Sequence, residues 1–585
     1  MDLQQRIDAS EPGSTLELPS GIFELESTLL MRQPLRLLGQ ATQLRLSGAR
    51  ARDAVLRLQG SGPFKVRGIR FVYAGASPGR AVWLESGEAE FEDCHFSGGH
   101  WVDERELGCG LHVSQEARAR VLFCEFFGSE VGLLADHQSR LELESSRFYN
   151  QRFWGLRLQG HSSSRVSQNE CRDQGLAGIW VGAQARAELD GNRCEANGAQ
   201  GLWIGGQSQV RLRGNESSRN QQHGLTAEEQ AELLIESQVC EENALCGLDL
   251  GGECRALVHA SYCTQNQWHG IQVRDLASPV LRKNRCRHNQ HSGLAYYGQA
   301  GGSAQDNWLE ENLEYAVQVG EQARPLLSHL RCARNGLSGV AYFGESGGLA
   351  QANQCQDHAY HGIQVGQQAR PLVESNHCRK NQLFGIACFG DSRPLVRLNE
   401  CRENLQGGIY VGDQSEPQLW ENILADNAQC GLQCVGRSAG LVAENRLENN
   451  GFYGFHIGPE ARPLLGDNHT SGHSVSDLSN LSRQVLQLEL LRKQSPHLGV
   501  GYYLQIGDQR LALPFEPKPN ERKVLEALAR HGKMSEAELS KVAGTRRIAG
   551  LLESLQERFQ RAGVAGLVCS GQGSEGSIYS LQLQK

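Results

Sequence analysis

A 23-residue beat runs through the middle of this chain for fourteen turns without slipping. From Asn169 the steps land on Asn192, Asn215, Gln238, Ser261, Asn284, Asn307, Leu330, Asn353, Asn376, Asn399, Asn422, Asn445 and Asn468. Two residues after the marker stands a Cys column: Cys171, Cys194, Cys240, Cys263, Cys286, Cys332, Cys355, Cys378 and Cys401. A second Asn column follows, from Asn197 to Asn450, and then a Gly column from Gly178 to Gly454, broken only at Ala316. A unit this short cannot bury an apolar face alone, so its copies must stack into a solenoid.

The residues after each Gly alternate apolar, variable, apolar, as in Gly178-Ile-Trp-Val, Gly270-Ile-Gln-Val and Gly408-Ile-Tyr-Val. That is the period of a strand, and no 3.6-residue period is sustained between Asn169 and Asn468. Three short strands fit each unit, for example around Pro371-Leu-Val, Asn376-His-Cys and Gly385-Ile-Ala. The fold class expected is therefore all-β, a right-handed parallel β-helix, with coils stacked about 4.8 Å apart. Stacking removes the sheet edges everywhere except at the two ends.

Each column has a physical reading. Asn tolerates left-handed backbone and bonds its own main chain, so Asn169, Asn192, Asn284, Asn353, Asn376 and Asn399 are placed at bends, where their side chains can form a ladder. Gly suits the turn into the third strand. Cys171, Cys194, Cys286, Cys355, Cys378 and Cys401 are read as small apolar core residues. One Cys per coil offers no converging ligands and the chain has no Cys-x-x-Cys, so no metal and no cofactor are expected.

A longer period overlies the first, with Gly-Ile-Gln-Val turns at Gly270 and Gly362 alternating with Gly-Leu/Val-Ala-Tyr at Gly293 and Gly339. These repeats resemble the parallel β-helix repeat family of the pectin-lyase-like superfamily. The pattern from Pro371-Leu-Val-Glu-Ser-Asn376 through Asn381 to Gly385-Ile is most similar to the repeats of β-helical F-box only substrate receptors. The opening Ile7-Asp-Ala-Ser-Glu-Pro-Gly and Leu35-Arg-Leu-Leu-Gly resemble the superfamily's N-terminal cap and first coil. No F-box-like helical segment precedes the repeats, so ubiquitin-ligase function is not carried over. The superfamily holds both carbohydrate enzymes and binding scaffolds, so the resemblance implies a fold and leaves the activity open.

The expected domains are a capped β-helix over 1–475, an amphipathic helix and linker over 476–500 closing its open end, and a small α+β domain over 501–585. The last carries a hairpin pattern around Gly507-Asp508, helical patterns at Asn520–His531, Ser535–Val542 and Thr545–Arg561, and strands flanking Gly571-Gln-Gly-Ser-Glu-Gly. That order resembles a winged helix of the response-regulator type. Arg546 and Arg547 open its third helix, where DNA contact is usual, but Glu553 and Glu557 share the same face. Both a protein-docking and a DNA-binding winged helix are compatible with these residues.

Net charge is −8, with residues 515–585 at +3 and the remainder at −11, which disfavours the β-helix as a sleeve for nucleic acid. The N-terminal residues show no apolar core of a secretory signal, and no stretch reaches the apolar length of a membrane span. Eighteen Cys in such a chain are read as reduced thiols in a cytoplasmic setting.

The outward position two after each Gly carries one carboxylate, Asp249, among thirteen residues and no neighbouring pair. His223, His269 and His361 are read as bend residues. The same column and its surroundings offer Trp154, Trp180, Trp203, Gln272, Gln318, Gln364 and Tyr410 as a binding face, with Trp154 alternatively packed under the loop at 99–108. The expectation is thus a protein that is not an enzyme: a cytosolic scaffold whose β-helix recognises a protein partner while the winged helix docks a second. The alternatives are a DNA-binding regulator and a sugar-polymer lyase, hydrolase or epimerase.

Overall fold

A computed structural model describes residues 3–48, 51–99, 108–479, 491–493, 501–506, 509–513, 520–521, 523–525, 533–543, 551–552, 555, 565–573 and 576–583. They divide into two compact units, Met1–Gln364 and Val365–Lys585.

In the first unit each coil is three strands, for example Arg186–Asp190, Arg193–Glu195 and Leu202–Ile204. Each strand pairs in parallel with its equivalent one coil on: Ala187 with Val210, Cys194 with Ser217, Trp203 with Thr226. Alternate side chains point inward and are buried, as in Arg186–Asp190, where Ala187 and Leu189 are inside. The result is the right-handed parallel β-helix that the spacing requires. A short helix, Leu3–Asp8, buries Leu3 and Ile7 at the start. There Gln4 bonds both the backbone N–H and the carbonyl of Leu30.

The core column that carries Cys begins as a stack of rings. Phe96, Phe126 and Phe148 lie face to face at 4.7 and 4.4 Å, and the same register continues into Cys171 and Cys194. Seventeen of the eighteen cysteines, those from Cys94 to Cys434, are buried and outside any disulfide. Burial raises the thiol pKa of Cys109 to about 12.

The Asn ladders are present, but Asn is not the left-handed residue. Positive φ falls on the residue just before it: Gln168, Ala196, Arg219, Glu242 and even Leu398. The Asn side chain is turned inward, where Asn197 N–H donates to Asn220 Oδ1 at 3.0 Å and Asn220 Nδ2 donates to the Cys194 carbonyl at 3.2 Å. A buried amide that must bond two coils leaves the strained bend to its solvent-facing neighbour.

The Gly column also has a different cause. Gly201 has no positive φ, but a Cβ there would lie 2.7 Å from the Gly224 carbonyl and 2.8 Å from Asn220 Nδ2. Close approach of stacked coils, and not a turn, excludes the side chain.

The second unit is built of coils of the same kind, with Asn376, Asn399, Asn422, Asn445 and Asn468 bonded in series. Ser476–Ser479 is a further strand, paired in parallel with Tyr453–Ile457, where a helix was expected to begin. Gly501–Ile506 and Gln509–Leu513 form an antiparallel hairpin. Ala565–Gly573 and Gly576–Leu583 form another, joined by Lys533–Ser535 and followed in space by a helix, Glu536–Ala543. The expected third helix, including Arg546 and Arg547, lies almost wholly outside the described residues.

Candidate functional site

Three outward columns line the third sheet of the first unit. The middle one runs Trp83, His112, Leu134, Arg157, Trp180, Trp203, Thr226, Asp249, Gln272, Ala295, Gln318 and Ala341, each beside the next. Three residues earlier in each coil stand Trp154, His223, Cys246, His269, Ser292, Tyr315, Ser338 and His361. Two residues later stand Glu228, Arg274, Tyr297 and Phe343.

At the N-terminal end the face is aromatic. The Arg157 guanidinium lies 4.5 Å from the centre of the Trp154 ring and 4.6 Å from that of Trp180, which are 6.2 Å apart. A Cβ at Gly182 would meet the Trp180 ring at 2.4 Å, so glycine makes room for the indole. Trp154 also packs on Cys109, Val131 and Leu134, and its buried Nε1 has no hydrogen-bond partner among the described residues. Residues 100–107 of the loop proposed to cover it lie outside the described residues.

Next along the face comes a charged cluster. Asp249 is buried at 2% exposure. Arg274 Nε reaches its two oxygens at 3.1 and 3.2 Å, Arg274 Nη2 reaches Oδ2 at 3.0 Å, and Gln272 Nε2 adds a bond of 3.1 Å. This pairing raises the Arg274 pKa above its ordinary value. The same guanidinium lies 3.7 Å from Glu228 Oε2, while Glu228 Oε1 accepts from Trp203 Nε1–H at 2.8 Å.

Beyond it is a buried imidazole. Ser292 N–H donates to His269 Nδ1 at 3.1 Å, and burial, with His291 nearby, pushes the His269 pKa down to about 3. His269 is therefore neutral with its proton on Nε2, which donates to Tyr297 Oη at 3.2 Å. Burial raises the Tyr297 pKa. His223 accepts from Cys246 N–H through Nδ1 at 3.2 Å and is likewise lowered by burial. The three histidines stand in the bends that lead into the strands Leu225–Ala227, Ile271–Val273 and Ile363–Val365, two residues before each strand begins.

Of the residues expected to form a binding face, Trp154, Trp180, Trp203, Gln272, Gln318 and Gln364 do share it, but half-buried and not exposed. Tyr410 belongs to the second unit, tilted against Phe384 at 5.2 Å. Glu228, Arg274, His269 and Tyr297 were missed as a group. The signal for Glu228 and Arg274 is a second register of one coil plus two residues: Trp203 to Glu228 and Asp249 to Arg274 are both 25 apart. Among the described residues no group of three or more His, Cys, Asp or Glu could hold a metal ion. The broad groove along the first sheet is lined by charges that pair with each other from coil to coil, such as Arg120 with Glu90 and Arg165 with Glu188.

Among solved structures, the chain is similar to the Dettilon tailspike protein gp208 at 12% identity, covering 48% of this chain and 61% of the tailspike, with a TM-score of 0.41. It is similar to the periplasmic alginate epimerase AlgG at 11% identity, covering 70% and 84%, with a TM-score of 0.28. It is similar to the PL6 family alginate lyase AlyGC at 11% identity, covering 80% and 98%, with a TM-score of 0.25. At these values the likeness is one of fold. No curated protein sequence matches the chain. That these neighbours include an epimerase and a lyase runs against the expectation of a non-catalytic, protein-binding scaffold, which is corrected here. The physical reason for the error is local: a carboxylate count in one column overlooks Glu228, which stands in the column beside Asp249. Residues 109–255, 202–349 and 326–468 match the family described as right handed beta helix region, more than half the sequence, and the chain belongs to that family.

Proposed function

We propose that the chain is a carbohydrate-active enzyme that takes an extended sugar polymer along the third sheet. The observation that carries this reading is the position of the Glu228–Arg274–Asp249 cluster. It lies between an aromatic stretch, Trp154 to Trp203, and an amide stretch, Gln272 to Gln364, so that a chain held on both sides would cross it. Indole faces suit the apolar faces of sugar rings, and amides suit their hydroxyls.

In this reading Glu228 is the proton-accepting carboxylate, oriented by Trp203 Nε1–H. Tyr297 is the donor: because it accepts from His269 Nε2–H, its own O–H is free to point at a substrate oxygen. Arg274, pinned by Asp249, stands between them to offset developing negative charge. The test is turnover of purified sugar polymers, neutral and uronate, followed by reducing-end release and by NMR of ring stereochemistry. Glu228→Gln and Tyr297→Phe should each lower turnover by roughly a hundredfold or more without shifting thermal unfolding. Turnover that survives both substitutions would remove these roles, and no change in any polymer would remove the enzyme reading.

A further inference from the structure

Beyond Arg274 the face repeats every two coils. A ring residue opens each pair (His269, Tyr315, His361), and an amide follows three residues later (Gln272, Gln318, Gln364). The intervening coil supplies Ser292 or Ser338, then Ala295 or Ala341, then Tyr297 or Phe343. The contacts repeat with the sequence. Ser292 Oγ donates to Gln318 Oε1 at 3.2 Å and Ser338 Oγ to Gln364 Oε1 at 2.9 Å. Cys246 Sγ stands in the same relation to Gln272 Oε1, at 3.6 Å.

Each amide oxygen is therefore occupied from the coil before, which fixes the amide plane. The Gln272 amide nitrogen is spent on Asp249, but those of Gln318 and Gln364 have no hydrogen-bond partner among the described residues. Both side chains are half-buried, and the fully buried Ala295 and Ala341 leave a flat floor between the amides. One wall is aromatic: Tyr297 leans toward Gly320, where a Cβ would meet its ring at 3.2 Å, and Phe343 packs edge-on against Tyr315 at 5.7 Å.

Two unpartnered amide donors, two coils apart, are separated by about 10 Å. That is close to the length of an extended disaccharide in a polymer whose successive rings alternate in orientation. From Ser292 to Gln364 the three columns contain no Lys, Arg, Asp or Glu, so a uronate carboxylate would find no cation there. Resting on the carbohydrate reading above, we propose that this stretch grips an uncharged β-1,4-linked glycan in steps of one disaccharide. Each step sets sugar hydroxyls against the Gln318 or Gln364 amide and a ring face against Tyr297 or Phe343.

The test is calorimetric binding of cello-oligosaccharides of two, four and six residues to the full chain, with a mannuronate hexamer as the charged counterpart. Affinity should rise with length and favour the neutral hexamer. Gln318→Ala and Gln364→Ala should each weaken hexamer binding by roughly threefold to tenfold, the loss of one hydrogen bond. Gln318→Glu keeps the acceptor for Ser292 and removes only the donors, so it should weaken the hexamer as well while leaving thermal unfolding in place. Equal hexamer affinity in wild type and all three variants, or tighter binding of mannuronate, would overturn the proposal. If neutral oligomers fail to bind while an anionic polymer is turned over in a Glu228-dependent way, this inference falls and the enzyme reading stands. Absence of both binding and turnover removes the two together.

Discussion

Arg274 holds Asp249 from one coil further along, with three nitrogen–oxygen distances between 3.0 and 3.2 Å. The carboxylate is buried and the guanidinium is about one-third exposed. The pair therefore lies between the buried and the surface regime, and its two members are not equivalent. Losing the arginine strands a charge inside the sheet, while losing the carboxylate frees a charge that can still reach water.

The first prediction follows from that asymmetry. Arg274→Ala should destabilise the first unit by about 2 to 4 kcal/mol, less than for a fully buried pair because water already reaches the guanidinium. Adding Asp249→Asn should recover part of the loss. Denaturant midpoints of the two single variants and the double variant measure the coupling, and purely additive effects would contradict it.

A second prediction concerns acid. His269 is held at about 3, and His358 and His361 at about 4, in each case first by burial. An unfolded histidine titrates near 6.5, so between about pH 4 and pH 6.5 the unfolded chain binds more protons than the folded one. Stability should therefore rise with pH across that window and fall as pH is lowered through it. Denaturant midpoints at pH 7.5 and pH 5 should differ, and His269→Gln should narrow the gap. An unchanged gap would take His269 out of the account.

The Asn ladder yields a third. Asn220 Oδ1 accepts from both the N–H and the side-chain amide of Asn197, and Asn220 Nδ2 donates to the Cys194 carbonyl and to Asn243. Asn220→Ala leaves several buried groups unsatisfied and should cost at least about 2 kcal/mol. Asn220→Asp preserves the acceptor toward Asn197 and should cost less at low pH, where the side chain can be neutral. Hydrogen exchange at Asn197 N–H reads the effect at the affected group.

Glycine substitutions separate packing from backbone conformation. In Gly270→Ala the new Cβ would lie 2.6 Å from the Gly293 carbonyl and 2.8 Å from the Cys286 Cβ. The coils would have to part, at a cost of about 1 to 3 kcal/mol. At Gly128 nothing lies within 4 Å, but φ is +63°, so Gly128→Ala should cost only the left-handed penalty of about 1 kcal/mol. Thermal unfolding of the two variants should rank them in that order.

The repeating part of the molecule was legible because one residue per column does one job. Asn169 and its successors, and Cys171 and its successors, occupy the same environment in every coil. What was misread was which atom each job uses. Asn was assigned the bend, although the bend falls on Gln168 or Ala196, since φ leaves no mark in a sequence where almost any residue is tolerated. The site was harder to see, because Trp203 with Glu228 and Asp249 with Arg274 join different columns of neighbouring coils. A search along single columns passes between them.

The direction of the Asn bonds carries a consequence for how the chain is made. Each coil's backbone N–H is satisfied by a side chain from the coil after it, as in Asn197 with Asn220 and Asn220 with Asn243. During synthesis the newest coil therefore always waits for the next 23 residues before its polar groups are closed. Completion can only advance from the amino end, one rung at a time, with a hungry edge at the ribosome. In the second unit the other column, Asn381, Asn404, Asn427 and Asn450, ends when Asn450 N–H meets His473 Nδ1 at 3.1 Å, an imidazole standing where the next amide would have been. That residue acts as a full stop, and removing it should leave the last rung permanently open to a strand from another molecule.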